Sequence, residues 1–142
     1  MLVNRRPVHI EWGDCDAAGI VFYPRYFELF DAPNHYLFEA AGWKKAHLRR
    51  EFDMVGFPLV DARARFIVPS TFGDDIFIES SIAEFKRSSF VVEHKVFKPG
   101  AEGEVLALEG FETRVWAGAH PTDPDKLKSR PIPDVVVKRL TG

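Results

Sequence analysis

The stretch Pro24-Arg25-Tyr26-Phe27-Glu28-Leu29-Phe30-Asp31-Ala32-Pro33-Asn34-His35-Tyr36-Leu37-Phe38-Glu39-Ala40-Ala41-Gly42 reads as one long helix. Phe27, Phe30, Asn34, Leu37 and Ala41 recur at spacings of three and four, so a helical period gathers them into one stripe. That stripe is apolar except for Asn34. Pro24 suits the first helical position, where a missing N–H leaves no bond unmade and the fixed φ is already helical. Gly42 stands where a helix-ending glycine is expected.

On either side of this helix the period changes to two. Arg5 to Trp12 alternates, with Val8 and Ile10 on one face and His9 and Glu11 on the other, as a half-buried strand does. A turn-rich loop, Gly13 to Gly19, and an apolar run, Ile20 to Tyr23, lead into the helix. After Gly42 a second short helix is expected from Lys44 to Phe52. Its Lys44, Lys45, His47, Arg49 and Arg50 read as a solvated basic face. Four strands follow. Leu59 to Val68 alternates through Ala62, Ala64, Phe66 and Val68, and Asp75 to Lys86 sets Ile76, Ile78, Ser80 and Ile82 on one face. Ser89 to Lys98 and Glu104 to Ala117 complete the run. Pro69, Gly73, Pro99, Gly100 and Gly103 supply turn chemistry between them. The proline-bearing tail ends in a short apolar piece, Asp134 to Leu140, that suits a helix turn or an edge strand.

A strand, a long helix and four consecutive strands predict an α+β layer, one antiparallel sheet of about five strands covered by one helix. The edges of such a sheet invite pairing with another chain, so a homodimer is the expected solution.

Bulk properties bound the function. The chain has 142 residues, the size of a single domain (1–142), with 46% hydrophobic residues, including 13 Phe. Nineteen basic residues against 21 acidic ones leave −2, which argues against an electrostatic grip on nucleic acid. Cys15 stands alone, so neither an intrachain disulfide nor a cysteine zinc cage is expected. No apolar run approaches the ~18 residues of a membrane helix, and a cytoplasmic location without membrane contact is expected.

The segment Trp12-Gly13-Asp14-Cys15-Asp16-Ala17-Ala18-Gly19-Ile20-Val21-Phe22-Tyr23-Pro24-Arg25-Tyr26 resembles the 4-hydroxybenzoyl-CoA thioesterase family of hot-dog-fold enzymes. Gly56-Phe57-Pro58-Leu59-Val60 and Glu84-Phe85-Lys86-Arg87-Ser88-Ser89-Phe90 extend the likeness over most of the chain, in the family's order. The resemblance implies a hot-dog fold, in which the five-stranded antiparallel sheet wraps around the long helix. It implies hydrolysis of an acyl-CoA thioester, an aromatic one such as 4-hydroxybenzoyl-CoA, with no cofactor. It also implies a homodimer that completes the active site, with residues around Gly56 to Val60 of one chain, Pro58 among them, facing Asp16 of the other, and a homotetramer of two such dimers.

Asp16 offers a carboxylate that can attack the thioester carbonyl or activate water, and the resemblance favours attack, through a mixed anhydride. The helix start offers unbonded N–H groups and the positive end of a dipole. Pro24 has no N–H, so the donor to the carbonyl oxygen is expected to be the Tyr23 backbone. Phe22 is read either as core or as a contact near the acyl pocket. Coenzyme A carries a pyrophosphate and a 3′-phosphate, for which Lys86, Arg87, Lys128 and Arg130 are the candidates. Ser88 joins that segment as a further substrate contact and departs from the related branch, whose basic run is three residues long.

Plainer roles are expected elsewhere. Asp14 reads as a turn former, Phe27, Phe30 and Phe38 as core, and Tyr26 and Asp31 as structural. Cys15 lies between two carboxylates that disfavour its thiolate. His9, His35, His47, His94 and His120 show no metal-binding spacing. Two other functions compete with hydrolysis of an aromatic acyl-CoA: a thioesterase for short aliphatic acyl-CoA or acyl-carrier protein, and a non-catalytic module that binds CoA esters.

Overall fold

A computed structural model describes residues 1–142. In chain order the elements are β1 (Asn4–His9), a 3-10 turn (Trp12–Asp14), α1 (Pro24–Ala40), α2 (Lys45–Phe52), β2 (Met54–Gly56), β3 (Leu59–Phe66), β4 (Asp75–Phe85), β5 (Ser89–Gly100), β6 (Gly103–Val115), β7 (Ala117–Ala119), β8 (Leu127–Ser129) and α3 (Asp134–Thr141). The five long strands form one antiparallel sheet in the order β1-β4-β5-β6-β3, and α1 packs against it. The α+β arrangement read from the sequence is therefore present.

Helix α1 starts at Pro24 and ends in a Schellman turn. Trp43 N–H donates to Phe38 O at 2.9 Å and Gly42 N–H to Glu39 O at 2.9 Å, with Gly42 at φ +103°. Its buried face is Tyr26, Phe30, Pro33, Asn34, Leu37 and Phe38. The expected stripe is thus rotated slightly: Tyr26 is buried where Phe27 is only half-buried. Pro33 lies inside the helix and removes one i→i−4 bond.

Register explains which side chains meet beneath α1. Ile78, Val96 and Leu108 lie side by side on the inner face, as do Ser80, His94 and Gly110, and then Ile82, Val92 and Glu112. The first row belongs to a core around Phe30, Tyr26, Ile10 and Val21. The third borders a second core, in which Leu37, Phe38, Phe90 and Trp116 meet Leu48 of α2 and Leu140 of α3. A polar row, Ser80–His94–Gly110, runs between the two cores.

Several sequence expectations change. β1 ends at His9, before Trp12, because the chain turns at the 3-10 segment. The tail piece is a helix. A second sheet, β2-β7-β8, escapes periodicity because each strand has only three residues. β3 is exposed along almost its whole length, with Val60 at 62% and Phe66 at 52%, because only β6 pairs with it. The inward alternation expected for Ala62, Ala64, Phe66 and Val68 survives only as half-burial of Ala64 and Val68. Lys86 lies just past β4, in the turn to β5, and not on the strand. No helix is long and apolar enough to cross a membrane.

Candidate active site

The loop before α1 is closed by its own backbone. Phe22 N–H donates to Asp14 O at 2.8 Å, Asp16 N–H to Ile20 O at 2.9 Å and Gly19 N–H to Asp16 O at 3.0 Å. Cys15 and Val21 form the antiparallel bridge between these contacts. Asp14 caps the 3-10 turn by accepting from Glu11 N–H at 2.9 Å, the structural role expected of it. Asp16 is exposed, and its one side-chain bond is the Ala18 N–H donated to Oδ1 at 2.8 Å. A carboxylate with this single partner keeps lone pairs free for an incoming electrophile or a water.

Tyr23 is the N-cap of α1, with helical φ and ψ. Arg25 N–H donates to Phe22 O and Tyr26 N–H to Tyr23 O, and Pro24 has no N–H. The Tyr23 N–H donates to no acceptor in the chain, which leaves it as the open donor at the positive end of a 17-residue helix. The aromatic side chains around it face outward. Phe22 is 47% exposed and therefore not core. Its ring meets Tyr23 edge to face at 5.4 Å, and Tyr23 meets Phe66 of β3 at 6.5 Å. Loop, helix start and exposed sheet edge thus share one aromatic surface.

Three of the four basic candidates are brought together. Arg87, Lys128 and Arg130 line an open cleft of about 750 Å³ with Phe52, Trp116 and Pro133. Arg130 is oriented there by Asp53 at 3.2 Å and by the Ala119 carbonyl at 3.0 Å. Lys86 is exposed but outside this cleft, and Ser88 lends its carbonyl to Trp116 N–H at 2.8 Å. Gly56, the last residue of β2, and Pro58, just before β3, are half-buried. Pro58 O there accepts from Val115 N–H at 3.0 Å.

One constellation escaped the sequence reading altogether. Ser80 Oγ lies 2.7 Å from His94 Nδ1, and His94 Nε2 lies 2.7 Å from Glu112 Oε1. Asn34 Nδ2 donates to Glu112 Oε1 at 3.1 Å and Arg114 Nη2 to Glu112 Oε2 at 2.7 Å. Burial alone would raise the Glu112 carboxyl. The bond and charge of His94, with Arg114 and Asn34, outweigh it and hold the group below the usual carboxylate range. The serine, histidine and carboxylate have the contacts of a nucleophilic triad, but all three are fully buried. Phe30 covers the imidazole at 4.5 Å, so no substrate reaches the serine. The only signal in the sequence was alternation: Ser80, His94, Glu112 and Arg114 each occupy an inward position of an otherwise apolar strand face.

Comparison with known proteins shows what the whole chain is similar to. A family model described as "Thioesterase-like superfamily" matches residues 10–140. The chain is 35% identical over 128 residues to the 4-hydroxybenzoyl-CoA thioesterase of Pseudomonas sp. (strain CBS-3), covering 87% of each chain. A crystal structure of a mutant 4-hydroxybenzoyl-CoA thioesterase complexed with 4-hydroxybenzoyl-CoA superposes with a TM-score of 0.89 at 30% identity, covering 99% of this chain and 100% of that one. A gentisyl-coenzyme A thioesterase superposes with a TM-score of 0.78 at 36% identity, over 94% and 99% of the two chains.

Proposed function

The chain belongs to the 4-hydroxybenzoyl-CoA thioesterase family of hot-dog-fold acyl-CoA thioesterases, and on that premise we propose that it hydrolyses a hydroxylated benzoyl-CoA, such as 4-hydroxybenzoyl-CoA, to the free acid and coenzyme A. The observation that carries the reading is the open Tyr23 N–H at the start of α1, beside a loop that leaves the Asp16 carboxylate exposed. The Tyr23 donor and the helix dipole receive the thioester carbonyl oxygen, where negative charge grows as the carbonyl is attacked. An Asp16 oxygen adds to that carbon, the C–S bond breaks, and coenzyme A leaves as a thiolate that takes a proton from water. Water then hydrolyses the mixed anhydride and regenerates Asp16. In the general-base route the same carboxylate instead takes the proton of an attacking water.

Relatives with named substrates support an aromatic acyl group, since one is a 4-hydroxybenzoyl-CoA thioesterase and another a gentisyl-coenzyme A thioesterase. Phe22 and Tyr23 supply an exposed aromatic wall suited to a ring. Arg87, Lys128 and Arg130 take the phosphates of the coenzyme. A second copy, docked on the exposed β3 edge, brings Gly56 and Pro58 against the acyl group, and two such dimers form the tetramer.

A panel of thioesters tests the reading. Purified protein should release thiol faster from 4-hydroxybenzoyl-CoA and benzoyl-CoA than from butyryl-CoA. Asp16→Asn should lower turnover by about 10²-fold or more, with the melting temperature retained because Asn keeps the Oδ1 acceptor for Ala18 N–H. Near-normal turnover by Asp16→Asn would remove the carboxylate from the mechanism. Preference for butyryl-CoA would make the substrate aliphatic.

A further inference from the structure

Arg114 ties together two segments of one chain that the proposed dimer assigns to its two sites. Nη1 donates to the Phe57 carbonyl at 3.1 Å, one residue before Pro58, and lies 3.1 Å from Asp31 Oδ1 on α1. Asp31 stands about two turns along the helix that opens with the Tyr23 donor. Nη2 is held by Glu112, which His94 and Asn34 hold in turn, with Ser80 behind the imidazole. Arg114 itself is 7% exposed, and its Nε has no partner.

Stability alone does not account for this arrangement. Replacing a buried ion pair by well-packed apolar side chains is often neutral or stabilising, because two charges must otherwise be taken from water. What the network supplies is a fixed point. The guanidinium fork is rigid, so holding it at Nη2 sets Nη1 as well.

We propose that Arg114 is a positioning residue for thioester hydrolysis: by holding Asp31 and the Phe57 carbonyl together, its guanidinium fixes the helix whose start gives the Tyr23 N–H to one site of the dimer relative to the Gly56–Pro58 segment that the same chain gives to the other. The inference rests on the functional reading above. It assigns Arg114 no contact with substrate, and it makes Glu112 and His94 the anchor of the fork. Misplacement of a reacting group by ~1 Å can cost about a hundredfold in rate, so loosening this tie should appear in kcat.

The test uses the full chain and two variants. Arg114→Lys keeps a charge beside Glu112 but cannot bond all three partners. The double variant Glu112→Gln with Arg114→Gln removes both buried charges and leaves a neutral amide pair. For each, kcat and KM on 4-hydroxybenzoyl-CoA are measured per folded molecule, with folding checked by near-ultraviolet circular dichroism. The expected result is folded protein with kcat lowered by about tenfold or more and a smaller change in KM. A merely structural Arg114 would lower the melting temperature and leave kcat per folded molecule unchanged. Folded Arg114→Lys with kcat within about twofold of the unsubstituted enzyme overturns the proposal, and this holds even where the double variant does not fold. Activity in the unsubstituted enzyme together with its loss in Asp16→Asn keeps the functional reading whatever Arg114 does. No aroyl-CoA turnover at all removes both.

Discussion

Phe30 lies flat against His94, with ring centroids 4.5 Å apart and planes 6° from parallel. The stack exists because Gly110, directly across from His94 on β6, has no side chain: a Cβ there would come within 2.8 Å of Phe30 Cε2. Gly110→Ala should therefore push Phe30 off the imidazole and destabilise the fold by about 1–3 kcal/mol. Urea unfolding at an unchanged m value measures it, and a midpoint equal to that of the unsubstituted protein would show that the stack adapts freely.

Acid should weaken the fold in two windows. Burial, with the nearby Lys45 charge, holds the His35 imidazole below its ordinary value. The unfolded chain therefore binds that proton first, and the contribution of His35 is complete above about pH 6.5 and is lost as pH falls toward the lowered folded value. The Glu112 carboxyl is also held low, so its contribution is complete above about pH 4.3 and is lost as pH falls through its folded value. His35→Phe keeps an aromatic ring against Phe57. It should flatten the loss of stability between about pH 7.5 and about pH 5.5 in thermal melts, while the lower window remains.

The cleft lined by Arg87, Lys128 and Arg130 predicts a binding phenotype. Removing one charged hydrogen bond to phosphate forfeits about 1.5–3 kcal/mol, so Arg87→Ala should raise KM by about tenfold or more and leave kcat nearly unchanged. Added salt should raise KM of the unsubstituted enzyme in the same direction. Steady-state kinetics on one acyl-CoA at two ionic strengths decides both points.

The exposed β3 edge predicts an assembly phenotype. Val60→Lys sets a charge on a strand whose outer side has no partner within the chain, and edge lysines oppose strand pairing. Light scattering should show the variant as monomer and the unsubstituted protein as dimer or larger, with thiol release lost in the monomer. A fully active monomer would place the whole site within one chain.

Much of the frame was legible because the relevant signals are local. Pro24 and Gly42 bracket α1 through the backbone angles that each allows, and the inward alternation of Ile76, Ile78, Ser80 and Ile82 follows from the two-residue period of a strand. The Asp16 and Tyr23-Pro24 spacing lies within one short loop. What stayed hidden depends on register or on very short elements. β2, β7 and β8 are three-residue strands with no period to read. Phe66 looked inward by alternation and is exposed because the sheet ends there.

The sequence by itself determined the α+β layer, the family likeness and the carboxylate and helix start that we propose as the centre of a thioester site, because each is a pattern among near neighbours along the chain. Only the tertiary structure decided that Ser80, His94, Glu112 and Arg114, drawn from three strands, join Asn34 in one buried network that reaches the exposed Asp31 at its end. It also decided that Lys86 stands apart from Arg87, Lys128 and Arg130. The physical reason is that cross-strand pairing and helix docking bring together residues far apart in the chain, and neither periodicity nor spacing carries that register.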